Sequence, residues 1–139
     1  MPPLYSTYKD IGKDSITPPS HQVKSNIPGA IQITSEAHRN EIINSNLIVV
    51  IYNFTDWCGP CKLTSPAFDI LSHKFKNGAM LVKEDVDQEL EGGLDISAVP
   101  VFHFYIKGNN YNDLTVSGGD LEVVEAQLVK ILEKVVMHK

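Results

Sequence analysis

Residues 47–62 decide the fold, and their sequence is LIVVIYNFTDWCGPCK. The first half of this stretch, residues 47–54, is rich in β-branched side chains and is apolar on both faces. Such a run predicts a central strand that other elements cover on both sides. Two cysteines, Cys58 and Cys61, follow where an apolar helical pattern begins. The stretch therefore predicts a buried strand leading into a helix, with a pair of thiols at the junction.

The composition excludes several classes of protein. A chain of 139 residues suits one domain, and two cysteines are too few for the disulfide framework of a small secreted protein. No second Cys-x-x-Cys motif is present to complete a tetrahedral zinc site, so we expect no metal. The formal charge of −5 argues against nucleic acid as a partner.

A membrane location is also not expected. The longest apolar run, from Leu47 to Tyr52, is far shorter than the ~20 residues of a membrane span. The first ten residues lack the apolar segment of a secretory signal. We therefore expect a soluble, intracellular protein, located in the cytoplasm.

The prolines divide the chain into two parts. Five of the eight prolines lie before residue 30, in a segment without a helical or alternating apolar pattern. We interpret residues 1–29 as an N-terminal extension, extended or partly disordered, and residues 30–139 as the domain. The extension is either a tail without catalytic role or an arm that binds a partner.

From Gly29 onward the hydrophobic pattern is regular and predicts alternating strands and helices. Strands are expected at residues 30–33, 47–54, 79–86, 101–106 and 111–117, the last two as an antiparallel hairpin. Helices are expected from a cap at Thr34 or Ser35 to Asn44, from Cys58 to about Lys76, around residues 88–94, and after Gly118-Gly119-Asp120. This order predicts an α/β sandwich, a mixed central β-sheet with helices on both faces.

Two of these helices carry a clear apolar stripe. In the helix after Cys58, Pro66 predicts a kink, and the expected buried side chains are Leu63, Ala67, Ile70, Leu71 and Phe75. In the last helix they are Leu121, Val124, Leu128, Ile131, Leu132 and Val135.

The two cysteines predict redox chemistry. Placed three residues apart in a first helical turn, they can close a small disulfide or stand open as a dithiol. The amides and the positive dipole end of a helix N-terminus favour the thiolate of the first thiol, Cys58. Since a thiolate is the attacking species in disulfide exchange, Cys58 is the expected nucleophile and Cys61, deeper in the helix, the resolving thiol.

At these residues the sequence resembles thioredoxin. The hexapeptide WCGPCK at residues 57–62 is among the more specific short signatures known, and four further features match the family. These are Pro66, five residues past the second cysteine; the strand with Lys83; the segment 96–100 that ends in Pro100; and Gly118 after the last strand. The resemblance covers residues 30–139 and implies a thioredoxin-like three-layer sandwich.

The resemblance implies a reductase of protein disulfides and a role for each matching residue. Trp57 would shield the dithiol and dock substrates, while Gly59 and Pro60 restrain the active-site loop. Val99, a cis Pro100 and Gly118 would bind a substrate strand through backbone groups. Lys83 would support the site. No bound cofactor is implied: the disulfide substrates are proteins, an external enzyme of the thioredoxin-reductase type returns the electrons, and the protein is a monomer.

One departure from the family concerns the proton acceptor. Six residues before the first cysteine the family usually has a buried aspartate, and this chain has Tyr52. Tyrosine, with an ordinary pKa of about 10, is a poor base at neutral pH. Either Tyr52 only fills the core, or attack by Cys61 is slower than in the family or uses Lys83 or a water as relay. Asn53 and Gly92-Gly93 also depart from the family pattern, and His103 is interpreted as a packed or surface residue.

Two other functions remain open. The loss of the aspartate and the added extension suit a thioredoxin-like binding or assembly module with weak redox turnover, although the motif residues argue against it. A metal-binding module built from Cys58, Cys61 and histidines is the third alternative.

Overall fold

The computed structural model describes residues 29–94 and 96–137. The extension predicted for residues 1–29 lies, except for Gly29, outside the described residues. The strands are β1 (Ile31–Gln32), β2 (Ile48–Phe54), β3 (Met80–Asp85), β4 (Val101–Ile106), β5 (Asn109–Asn110) and β6 (Val116–Ser117). The helices are α1 (Glu36–Ser45), α2 (Cys61–Lys74) and α3 (Leu121–Met137), with 3-10 turns at Val86–Gln88 and Asn112–Leu114.

The strands form one mixed sheet with β2 at its centre. The order is β1-β3-β2-β4-β5, and β6 also pairs with β4. Strand β3 runs parallel to β2 and to β1, whereas β4 runs antiparallel to β2. All residues of β2 up to Asn53 are buried, as the apolar run predicts for a strand covered on both faces.

The two faces of the sheet have separate cores. On one face, Val50, Tyr52 and Phe102 pack with α2 and α3, and this core includes both cysteines. On the other face, Val49, Ile51 and Val82 pack with Ile42 and Ile43 of α1. The predicted three-layer α/β arrangement is confirmed, and the predicted stripe of α3 faces the first core.

Local signals explain where the helices begin. Ser35 caps α1, because its hydroxyl accepts the N–H of His38. Helix α2 begins at Cys61 rather than Cys58, since Cys58 to Pro60 form a turn in which Lys62 N–H donates to Gly59 O at 3.1 Å. The prediction that both cysteines belong to a first helical turn was therefore wrong.

The buried face of α2 agrees with the predicted one except at Leu63: Leu71 is buried, and Ala67, Ile70 and Phe75 pack against the core. Leu63 is 83% exposed, whereas Phe68 is fully buried. The buried side chains follow Cys61 at helical spacing, namely Cys61, Thr64, Phe68 and Leu71. The core therefore covers a wider arc of α2 than the predicted stripe, and it includes Phe68 but not Leu63.

Among the described residues, one further predicted element is absent and another is interrupted. The helix expected around 88–94 is a 3-10 turn that ends at Gln88, because Glu89 and Gly92 take left-handed φ values of 53° and 77° that a helix does not tolerate. The second hairpin strand is interrupted by the 3-10 turn at Asn112–Leu114. The hairpin itself forms, with Lys107 and Gly108 both at positive φ between β4 and β5.

Candidate active site

The cysteines close a short turn between β2 and α2. Cys58 and Cys61 form a disulfide with their Cα atoms 5.3 Å apart. Each is 3% exposed, so burial does not distinguish the two sulfurs. The turn follows β2 directly, and the N–H of Cys58 donates to Thr55 O at 3.3 Å. A Cβ built on Gly59 would meet nothing within 4 Å, so the outer side of the turn is open.

The start of α2 supplies a positive environment for one sulfur. The N–H of Cys61 donates to Cys58 Sγ at 3.2 Å. This amide belongs to the first turn of the helix, where the backbone dipoles leave a partial positive charge. On reduction the same N–H would stabilise a thiolate at Cys58, as the sequence predicts for the first cysteine.

Trp57 lies beside the turn with its indole ring exposed. The side chain is 71% accessible, and its Nε1–H donates to Asp87 Oδ2 at 2.9 Å. The Asp87 backbone N–H in turn donates to Asp85 Oδ1 at 3.0 Å. Asp87 therefore holds the exposed ring in place. The sequence pattern does not predict this contact.

The loops with Pro100 and Gly118 meet. The Val99–Pro100 peptide bond is cis, as predicted, and Val99 packs against the core that contains the cysteines. The N–H of Gly118 donates to Pro100 O at 2.8 Å. Gly118 has a φ of 91°, which favours glycine, and a Cβ there would meet nothing within 4 Å.

Tyr52 is fully buried and its hydroxyl is hydrogen-bonded. Its Oη lies 2.8 Å from Ser65 Oγ and donates to Cys61 O at 3.5 Å. The ring packs between Phe54, Phe68 and Phe102 with centroid separations of 5.0 to 5.5 Å. Burial raises the pKa of Tyr52, the Ser65 hydrogen bond opposes this, and the negative charge of Asp69 adds to it. The group is therefore a neutral phenol at neutral pH.

Lys83 pairs with a carboxylate of α2. It stands opposite Tyr52 in the β2–β3 register, and its Nζ lies 3.5 Å from Asp69 Oδ1. The same carboxylate oxygen accepts the N–H of Ala30 at 2.8 Å. No contact between Lys83 and either cysteine is among those of the described residues. The contacts of Ser65 with Tyr52 and of Asp69 with Lys83 were not predicted from the sequence, although a spacing of four places Ser65 and Asp69 on one face of a helix.

The polar residues of the other face line a separate cavity. A cavity of about 450 Å³ is lined by Arg39, Asn53, Glu84, His103 and Tyr105, among others, and includes neither cysteine. Arg39 donates to both oxygens of Glu84 at 3.0 and 2.6 Å, and Asn53 Nδ2 donates to His103 Nδ1 at 3.2 Å. Burial lowers the pKa of His103, against a smaller opposing effect of Glu84. His103 is thus a packed residue remote from the dithiol.

A metal site is not formed by the part of the chain that the structure describes. Among these residues no group of three or more His, Cys, Asp or Glu side chains is arranged to hold a metal ion. None of the helices within residues 29–94 and 96–137 has the length and apolar content needed to cross a bilayer.

Comparison with known proteins decides the family. The model of the thioredoxin family matches residues 29–133. The chain is 34% identical to thioredoxin of Oryctolagus cuniculus over 106 residues, which cover 73% of this chain and 97% of the relative. The chain belongs to the thioredoxin family. The thioredoxin of Equus caballus is 35% identical over 102 residues, which cover 70% of this chain and 93% of that one.

Solved structures agree with this assignment. The thioredoxin of Plasmodium falciparum has a TM-score of 0.65 at 28% identity and covers 73% of this chain and 98% of its own. That of Malassezia sympodialis has a TM-score of 0.65 at 29% identity, covering 74% and 91%. With the Cys58–Cys61 disulfide in place, this member of the thioredoxin family is a thiol-disulfide oxidoreductase that acts on protein disulfides.

Proposed function

We propose that this thioredoxin works as a reductase, with Cys58 as nucleophile and Cys61 as resolving thiol. The observation that carries the assignment of the two roles is the hydrogen bond from Cys61 N–H to Cys58 Sγ at 3.2 Å. In the reduced protein, a donor aimed at one sulfur stabilises the thiolate of that cysteine and so favours it as the attacking group.

The reaction proceeds in two exchanges. The Cys58 thiolate attacks one sulfur of the substrate disulfide, and the other substrate sulfur leaves as a thiolate and takes up a proton. Cys61 then loses its proton and attacks Cys58 Sγ, which releases the second substrate thiolate and closes the Cys58–Cys61 disulfide. Two electrons pass from the dithiol to the substrate, so the disulfide form described above is the product state.

Substrates dock beside the turn. Trp57 offers an exposed apolar ring, and the backbone around Val99 and Pro100 lies next to Gly118. An extended segment of a disulfide-containing protein would bind there as an added strand. Gly59 and Pro60 are exposed on the outer side of the same turn.

The electrons return from outside the protein. We propose that an enzyme of the thioredoxin-reductase type reduces the Cys58–Cys61 disulfide, and that the thioredoxin carries no bound cofactor. The Gly-Pro pair between the cysteines resembles that of the reducing members of the family. A reductase belongs in a reducing compartment, so we propose that the protein acts in the cytoplasm, as a monomer. There it would carry electrons to protein disulfides and support cell redox homeostasis.

The neutral side chain of Tyr52 makes the second exchange slow. The position of the usual buried acid holds a neutral phenol bonded to Ser65, and Lys83 is paired with Asp69. With no carboxylate supplied by β2 at this position, the Cys61 proton leaves through water or through Lys83, and the mixed disulfide persists longer than in relatives with the aspartate.

Cysteine variants test the roles. Reduction of insulin by the protein, recycled with dithiothreitol, is compared for the wild type, Cys58→Ser and Cys61→Ser. We expect Cys58→Ser to be inactive and Cys61→Ser to accumulate a covalent adduct with the substrate, visible by mass spectrometry. Adducts formed by Cys58→Ser instead would reverse the two roles.

A binding or assembly module with weak turnover is the second candidate. The observation that favours it is the neutral Tyr52–Ser65 pair in place of an acid. A wild type that forms its dithiol but does not reduce insulin would support this candidate and reject the reductase.

A further inference from the structure

Thr64 of α2 lies where the segments around the dithiol meet. It is 6% exposed, and its hydroxyl donates to the carbonyl oxygen of Pro60, in the cysteine turn, at 3.0 Å. Gly119 packs against the same hydroxyl: a Cβ built on Gly119 would stand 2.5 Å from Thr64 Oγ1 and 3.8 Å from Pro100 Cγ. Thr64 therefore lies between the cysteine turn and the loop that follows β6.

The loop on the far side is tied to the cis proline. The N–H of Gly118 donates to Pro100 O at 2.8 Å, and Gly119 is the next residue. The Thr64 hydroxyl consequently limits how close residues 118–119 come to the cysteine turn. The proposed function assigns the surface beside Pro100 and Gly118 to the substrate strand, so the spacing of these segments bounds the groove that such a strand would enter.

We propose that Thr64 and Gly119 are positioning residues that set the width of this groove and thereby determine which protein segments reach Cys58. The inference rests on the proposed function, in which Pro100 and Gly118 bind the substrate backbone. Thr64 acts through Pro60, and Gly119 acts through Gly118 and Pro100. A displacement of less than 1 Å at such a wall is enough to lower the rate with a substrate that must be aligned.

Gly119→Ala is a clean probe of the contact. Gly119 is not among the glycines with positive φ, so alanine does not strain the backbone there. A distance of 2.5 Å is shorter than a real Cβ contact, so one of two parts must move. Either Thr64 rotates and breaks its bond to Pro60, or residues 118–119 move away from α2. Both changes alter the spacing between the cysteine turn and residues 118–119.

The test compares a protein substrate with one that needs no groove. KM and kcat are measured for the reduction of insulin, with dithiothreitol recycling the protein. The rate at which the reduced protein reacts with dithiodipyridine, a small disulfide, is measured separately. We expect Gly119→Ala to raise KM for insulin roughly three- to tenfold, with kcat and the dithiodipyridine rate within about twofold of the wild type.

Compensation and matched controls make the test specific. Gly119→Ala combined with Thr64→Ala removes the contacting oxygen, so KM for insulin should return to that of Thr64→Ala alone. Thr64→Ser keeps the hydroxyl and should match the wild type. Gly29→Ala is the matched control, since its Cβ would meet Asp69 Oδ2 at an ordinary 3.6 Å.

The outcomes separate the possibilities. An unchanged KM in Gly119→Ala, an equal loss with insulin and dithiodipyridine, or no recovery in the double variant would overturn the proposal. Failure of the proposed function has a different signature, in which the wild type reacts with dithiodipyridine but does not reduce insulin, and both proposals then fall.

Discussion

At the position six residues before Cys58, a buried phenol replaces the carboxyl group that the thioredoxin resemblance leads one to expect. Three aromatic rings surround Tyr52, and its hydroxyl is bonded to Ser65 Oγ at 2.8 Å. Its raised pKa keeps the group protonated through neutral pH. On α2, Asp69 pairs with Lys83, whose Nζ lies 3.5 Å from Asp69 Oδ1. The proposed function therefore assigns to Tyr52 a change in the proton transfer of the second exchange, not in the exchange itself.

Restoring a carboxyl group at this position should accelerate the second exchange. We expect Tyr52→Asp to shorten the lifetime of the mixed disulfide near pH 7 by about tenfold or more, because a buried carboxylate of raised pKa accepts the proton of Cys61. Stopped-flow fluorescence of Trp57 or acid trapping of the adduct measures that lifetime.

Tyr52→Asn is the matched control for this variant. It loses the same ring and creates a similar cavity, but it cannot ionise, so any difference between the two variants reports the proton acceptor. Equal lifetimes for the Asp and Asn variants would contradict a role for position 52 in accepting the Cys61 proton, and Tyr52 would then be a core residue only.

At the scale of single elements, helix α2 shows how one residue sets a buried face. The helix begins after the cysteine turn, so Cys61 defines the inward direction, and Phe68 lies on that face two turns later. Leu63, although apolar, points to solvent and is 83% exposed. Helical spacing predicts which residues share one side of a helix. It does not show where along the helix the core ends, so Leu63 fits the same pattern as Ile70 and yet lies in solvent.

Truncation of the two side chains should separate these faces. Phe68→Ala should lower the free energy of unfolding by about 3–5 kcal/mol, because it opens a cavity among Tyr52 and Phe102. Leu63→Ala, on the same helix, should change it by less than about 0.5 kcal/mol. Urea unfolding followed by fluorescence measures both, and a large loss in Leu63→Ala would contradict the described register of α2.

At the scale of the whole molecule, the two faces of the sheet differ in chemistry. The face with α2 and α3 holds the dithiol in an aromatic core. The face with α1 carries a buried Arg39–Glu84 ion pair and the Asn53–His103 hydrogen bond beside a cavity. Because these polar groups sit across the sheet from the sulfurs, changes there should affect stability and leave the redox reaction unchanged.

The pH dependence of stability should report His103. Its folded pKa lies below that of an unfolded histidine, about 6.5, so the unfolded chain binds the proton first as the pH falls. The free energy of unfolding is therefore unaffected by this group above about pH 7, and it decreases as the pH falls through about 6.5. His103→Gln, which keeps an acceptor for Asn53, should flatten the Tm profile between about pH 7 and the folded pKa. An identical slope in wild type and variant would reject this assignment, with dithiodipyridine reactivity as the control for the active site.

The local sequence determined the features that depend on neighbours along the chain. The β-branched run of residues 47–54 predicted β2, a cap at Thr34 or Ser35 predicted the start of α1, and the spacing of Cys58 and Cys61 allowed a small disulfide. Such signals are readable because strand and helix periods, caps and short turns involve residues within about four positions of each other.

Only the tertiary structure decided the features that join distant segments. It brought Asp69 to Lys83, Asp87 to Trp57, and Gly119 to Thr64, pairs that lie far apart in the chain and have no shared periodicity. It also showed that residues 86–94 form turns rather than a helix. The physical reason is that packing and long-range hydrogen bonds depend on which surfaces meet across the sheet, whereas sequence patterns record only which side of each element is apolar.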